Sequence, residues 1–108
     1  MCFSKSHLFR PNLQLIAHFA NGLSHPARIQ ILEYLSKNQE STIADISSTV
    51  PLSRTTVSHH VGYLRELKIL TYRESIPYIY YSISWEKLEN FLEISNKVLS
   101  DITTLKTG

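Results

Sequence analysis

The side chains best suited to chemistry fall in one short run. Arg54, Thr55, Ser58 and His59, with Gly62 and Arg65 beyond them, share one side of a stretch whose other side is Val57, Val61, Leu64 and Leu67. They are hydrogen-bonding groups rather than the Lys and Glu of an ordinary solvated face, which is the plain alternative. Ser53 stands ahead of them as an N-cap, because its hydroxyl can accept from a free N–H of the first helical turn. Such a face suits recognition of polar edges on another molecule. Catalysis is a poor fit: no Ser/His/Asp order, phosphate-binding glycine loop or carboxylate pair can be assembled. His59 and His60 are adjacent, about 100° apart on a helix, so they do not share a metal or a substrate. The single cysteine, Cys2, excludes an internal disulfide and any paired-cysteine metal cluster. With His7 it makes at most a partial metal site, lacking an evident third ligand.

At 108 residues the chain is expected to form one domain, 1–108. It is 43% hydrophobic and 19% charged, which is a globular rather than a disordered composition. A net charge of +2 is too small for a purely electrostatic nucleic-acid binder, yet it leaves room for a local basic face. Residues 1–83 hold eight basic and five acidic side chains, and residues 84–108 hold three and four. An anion-attracting surface therefore belongs to the first three quarters. No apolar run approaches the roughly 18 residues that span a bilayer, and Met1 to Arg10 lacks the pattern of a secretory signal. The expected address is the cytoplasm, with no membrane partner.

The elements that position this face can be read in order. Residues 1–10 read as a flexible arm. Leu13, Ile16, Ala17 and Ala20 mark a first helix over 11–21, stopped at Asn21-Gly22. Ser24 as cap and Pro26 in the first turn open a second, with Ile29, Ile31, Leu32 and Leu35 as its apolar stripe; Lys37 to Glu40 ends it. Thr42 with Asp45 three residues on resembles a capping box, with Asp in place of the usual Glu, for a short third helix, broken at Val50-Pro51-Leu52. The face described above is a fourth helix, capped by Ser53. Ile69 to Glu74 and Tyr78 to Ile83 then alternate as a hairpin, its tyrosines Tyr72, Tyr78, Tyr80 and Tyr81 most simply strand formers. Ser84 caps a last helix over 85–105, whose apolar arc includes Trp85, Leu88, Phe91, Leu92, Ser95, Leu99 and Ile102. The expected fold is mainly α with one small hairpin.

A helix pair whose second member is capped and polar on one side, followed by a two-stranded ribbon, suits double-stranded DNA. The major groove, about 12 Å wide, admits one α-helix. The first helix of the pair holds the second so that its N-terminal turn meets base edges. Arg54 can grip guanine O6 and N7 in a bidentate pair.

Three separate motifs carry a family resemblance. The run Leu52-Ser53-Arg54-Thr55-Thr56-Val57-Ser58-His59-His60-Val61-Gly62-Tyr63-Leu64-Arg65-Glu66 resembles the recognition helix of the ArsR/SmtB winged helix-turn-helix repressors. Leu23 to Leu32 is similar to that family's second-helix signature, and Tyr80-Tyr81-Ser82-Ile83 to the end of its wing. The resemblance implies a winged helix-turn-helix, closed as a homodimer through its first and last helices on a palindromic operator. It implies DNA contacts from Ser53, Arg54, Thr55, Thr56, Ser58 and His59, with Arg73 and Tyr78 from the wing. His60 is expected to pack beside the helix pair. Arg28 is expected to make a structural ion pair or a phosphate contact, and His18 and His25 to be surface or packing residues.

The wide arc of the last helix agrees with a dimer seam, with Leu13 and Ile16 of the first helix joining Leu88, Phe91, Leu92, Ser95, Leu99 and Ile102. A ligand pocket along that seam is the next reading.

Two departures from the family pattern stand out. Lys68 occupies a position commonly glycine, so a lysine must take a left-handed or irregular conformation there. The wing has one arginine, Arg73, beside Glu74, so its hold on phosphate is expected to be weak. The third helix has no cysteine and the last no histidine, so the family's usual metal sites are not expected, no cofactor is implied, and no effector can be named. A winged-helix protein-interaction module that does not read DNA is the alternative function.

Overall fold

The computed structural model describes residues 5–106. After a short 3-10 turn at Ser6–Leu8 come α1 (Pro11–Gly22), α2 (Pro26–Asn38), β1 (Glu40–Ser41), α3 (Ile43–Ser47), α4 (Arg54–Glu66), β2 (Leu70–Ser75), β3 (Tyr78–Ile83) and α5 (Trp85–Thr104). Within the expected flexible arm, Met1 to Ser4 lie outside the described residues, and with Cys2 so does the Cys2–His7 pairing.

The core is assembled from the stripes that the sequence repeats. Ile31, Leu35, Ile46, Val57, Val61, Leu64 and Ile69 have no solvent exposure. They come from α2, α3, α4 and the entry to β2, so these elements share one apolar centre. Ile29, read as part of the α2 stripe, instead faces solvent; Ala27 is buried in its stead.

The sheet has three strands rather than the two of a simple hairpin. Its order is β1-β3-β2, with Glu40 paired to Ser82 and Ser41 to Tyr81. β2 and β3 run antiparallel from Leu70↔Ile83 to Ser75↔Tyr78, leaving Ile76-Pro77 as the turn. β1 spans two residues, too few to show an alternating pattern.

Helix ends show how local chemistry is settled. Thr42 and Asp45 form the complete capping box, each side chain accepting from the other's backbone N–H. The cap of α2 is His25, whose Nδ1 accepts from Ala27 N–H, and not Ser24, whose hydroxyl donates to the Asn21 carbonyl. Ser84 stands at the N-cap of α5 without a side-chain capping bond.

The end of α4 is a Schellman closure. Ile69 N–H donates to the Leu64 carbonyl and Lys68 N–H to that of Arg65. Lys68 at φ 67 takes the left-handed position, one of the two conformations expected where the resembled family commonly has glycine. No helix of the described residues is long and apolar enough to cross a membrane.

Gly22, last residue of α1, sits directly on this closure. A Cβ there would overlap Ile69 Cδ1 and lie 3.2 Å from Leu64 Cδ2 and 3.3 Å from Leu67 Cδ1. Two of those partners are fully buried and have little room to yield. We therefore expect Gly22→Ala to lose about 1 kcal/mol, overpacking outweighing the gain in helix propensity. Urea denaturation measures this, and a variant as stable as the parent would show that the contact relaxes freely.

Candidate nucleic-acid interface

The seating of α4 dictates what it displays. α4 packs against α2, α3 and β2, and its line Val57, Val61, Leu64 is wholly buried. The opposite side must then face solvent, and Arg54, Thr55, Ser58 and His59 are all exposed. The first turn is stiffened from within. Ser53 Oγ accepts from Thr56 N–H at 3.2 Å and donates to Thr56 Oγ1 at 2.9 Å. Of the six α4 residues read as DNA contacts, Ser53 and half-buried Thr56 are thus occupied with each other, holding the turn that carries the other four. Partial positive charge at this helix end favours an approaching phosphate.

Behind this face lies a clamp that sequence reading only half anticipated. Arg28, from the start of α2, donates to the carbonyls of Gly22 (3.3 Å) and Asn21 (3.1 Å) and to Ser24 Oγ (2.8 Å). It also reaches His60 Nδ1 on α4 at 3.1 Å and lies 4.7 Å above the Tyr63 ring. One guanidinium thereby ties the end of α1 and the entry of α2 to α4. Its partners are carbonyls, a hydroxyl and an imidazole, so no acidic residue announced it in the sequence. His18 adds a second tie, its Nε2 donating to the Leu67 carbonyl at 3.0 Å.

A guanidinium only donates, so His60 Nδ1 accepts and its proton sits on Nε2. The His25 ring lies 4.6 Å from that of His60. Burial first, and then the nearby His25, Arg28 and His59, push the His60 pKa below its ordinary value.

In the wing, Arg73, expected to hold phosphate only weakly beside Glu74, is engaged within the chain by a different carboxylate. Arg73 pairs with Glu40 of β1, Nη2 to Oε1 at 2.6 Å and Nε to both carboxylate oxygens at 3.1 Å. Its guanidinium also lies 4.7 Å above the Tyr80 ring. The bond from Arg73 holds the Glu40 carboxyl below the usual range. The charge of Arg73 is thus matched within the chain. Tyr78 is 56% exposed near the turn, beside Ile76, which is 93% exposed. Arg65, near the end of α4, stacks 3.8 Å above Tyr72 of β2.

Comparison with known proteins gives this arrangement a context. The family model described as bacterial regulatory protein, arsR family, matches residues 25–72. An HTH-type transcriptional regulator of Mycobacterium tuberculosis is 34% identical, covering 85% of this chain and 81% of that protein. The transcriptional repressor PagR of Bacillus anthracis is 28% identical, over 76% and 82%. A solved ArsR-like transcriptional regulator from Rhodococcus sp. RHA1 superposes with a TM-score of 0.76, covering 88% and 89%, at 16% identity, which speaks for the fold.

The chain belongs to the arsR family. It is a transcription regulator of the DNA-binding helix-turn-helix type.

The span matched by the arsR-family model holds α2, α3 and α4, hence Arg28, His60 and the whole displayed face. α1 and α5 lie outside it and pack against each other, Phe19 stacking on Phe91 at 4.4 Å. Of the residues read as a dimer seam, Leu88 and Phe91 pack on the chain's own core and Ser95 is buried. Leu13 and Ile16 are half-buried, whereas Leu92, Leu99 and Ile102 are more than half exposed. Among the described residues, no three His, Cys, Asp or Glu side chains converge as metal ligands.

His60 links pH to stability. The unfolded chain takes up a proton near the ordinary value of 6.5, while the folded chain resists it. Stability from this group is therefore complete above about 6.5 and drains as pH falls toward the lower folded value. Melting temperature should fall between neutral and mildly acidic buffer, and His60→Gln, which still accepts from Arg28, should flatten that fall. Parallel profiles for the two proteins would contradict it.

Proposed function

We propose that this arsR-family regulator is a homodimeric repressor that reads a palindromic operator with the N-terminal half of α4. The observation that carries the reading is the outward presentation of Arg54, Thr55, Ser58 and His59 on a helix whose other side is buried in the core and bonded to Arg28 of α2. Arg54 suits a guanine edge; Ser58 and Thr55 can serve bases or phosphates; His59 offers a ring nitrogen. Tyr78 and the wing turn approach the neighbouring backbone, and Arg73 contributes less than its charge suggests because Glu40 holds it. Acting on chromosomal DNA places the protein in the cytoplasm.

The dimer is supported by what α5 leaves open. Its 20 residues extend about 30 Å, and Leu92, Leu99 and Ile102 sit on it without cover at 54%, 57% and 60% exposure. The radius of gyration is 16.0 Å, against roughly 13 Å for a compact chain of this length. A second copy laid along α1 and α5 buries that ridge and sets two α4 helices on one side, for half-sites about 34–36 Å apart.

Fluorescence anisotropy with the duplex upstream of the chain's own gene, alongside sedimentation equilibrium, tests both parts. A dimeric mass and salt-sensitive binding are expected. Arg54→Ala should lose roughly 1–3 kcal/mol of discrimination at one base position. An Arg54→Ala protein that separates operator from random duplex as the parent does would refute its role, and absence of all binding would favour a protein-interaction module.

A further inference from the structure

Two residues on one surface occupy positions that helix physics disfavours. Gly62 lies mid-way along α4, where an added Cβ would meet no atom within 4 Å. Glycine weakens a helix interior, and no packing demands it here. Lys68, at φ 67, fills the left-handed position that closes α4, where glycine is at ease and a side chain is strained. The chain thus carries a glycine where a side chain would help, and a lysine where glycine would.

Both residues line the same open groove of about 910 Å³ between α4 and the start of β2. Ser58, His59, Arg65 and Tyr72 complete the part that matters. Tyr72 orients the Arg65 guanidinium by its stacking at 3.8 Å. Among the described residues the ion pair formed is Arg73–Glu40, so Arg65 keeps its charge uncompensated. Glu66 is the single acidic lining residue, against Arg65 and Lys68.

We infer that this groove seats the sugar–phosphate backbone of an operator strand, with Gly62 as its floor and Arg65 and Lys68 as phosphate ligands. This rests on the DNA-reading role of α4 proposed above. Ser58 and His59 belong to both the displayed face and the groove, so the two surfaces are continuous. A helix lying in the major groove with a hairpin beside it must have a phosphate ridge between them, and this is the concavity between them. The missing Cβ at Gly62 lets that ridge approach the helix backbone. The stacked guanidinium is already turned for a phosphate before DNA arrives. Lys68 is tolerated in a strained conformation because its ammonium supplies a second charge at the groove's end. Arg65, not Arg73, is then the main phosphate-binding arginine on the wing side.

The test uses the full chain with the promoter duplex across a salt series, together with thermal melts. Arg65→Gln and Lys68→Gly should each reduce the slope of log affinity against log salt by roughly 0.9. Lys68→Gly and Gly62→Leu should melt at or above the parent temperature while binding DNA more weakly, a combination that a purely structural role does not produce. A parent that binds, with all three variants matching its slope and affinity, overturns this inference and leaves the role of α4 standing. A parent that binds no duplex overturns both.

Discussion

The surface of this protein follows from one constraint, the burial of Val57, Val61 and Leu64 on a single line of α4. Each such side chain stabilises the fold by roughly 1.5–3 kcal/mol on leaving water, so α4 cannot rotate about its axis without forfeiting most of the core it shares with α2, α3 and β2. Rotation locked, the polar side is committed to solvent. Ser53 and Thr56 then fix the first turn, and the closure at Lys68 fixes the last. The helix is in effect a rigid plate carrying a set of hydrogen-bonding groups.

Arg28 extends the same constraint to the neighbouring helices. By gathering two carbonyls, a hydroxyl and an imidazole it closes the corner where α1, α2 and α4 meet. Its contact with His60 exists only while that ring is neutral, which makes the rear support of α4 sensitive to acid. Phe19 and Phe91 join α1 to α5, so the exposed ridge of α5 is anchored to the body that carries α4. A partner covering that ridge would therefore set the position of a second recognition helix.

Much of this was legible in the residues, because the signals were local and periodic. The four-residue and three-residue spacings of Val57, Val61 and Leu64, the Thr42–Asp45 box and the tyrosine-rich hairpin each declare an element on their own. Lys68 was legible as an oddity only through the family resemblance, which puts glycine at its position. What escaped was non-local or unpatterned. β1 is two residues long, and without it nothing connects Glu40 with Arg73, so the weak hold of Arg73 on phosphate was read from its neighbour Glu74 and the pairing with Glu40 went unseen. His25 displaced Ser24 as cap because an imidazole nitrogen two residues upstream reaches Ala27 N–H equally well. Phe91 and Leu88 lay on the apolar arc of α5 but turn toward the chain's own core, a division of that arc that helical spacing does not encode.

The most direct measurement is amide hydrogen exchange by mass spectrometry, with and without the promoter duplex. Slowed exchange should concentrate on residues 53–59 and 62–72, the leading end of α4 and the groove beside it. Slowing that spares this stretch and falls instead on α2 or on α1 and α5, under conditions where the duplex is bound, would contradict the assignment of α4 as the element that meets DNA.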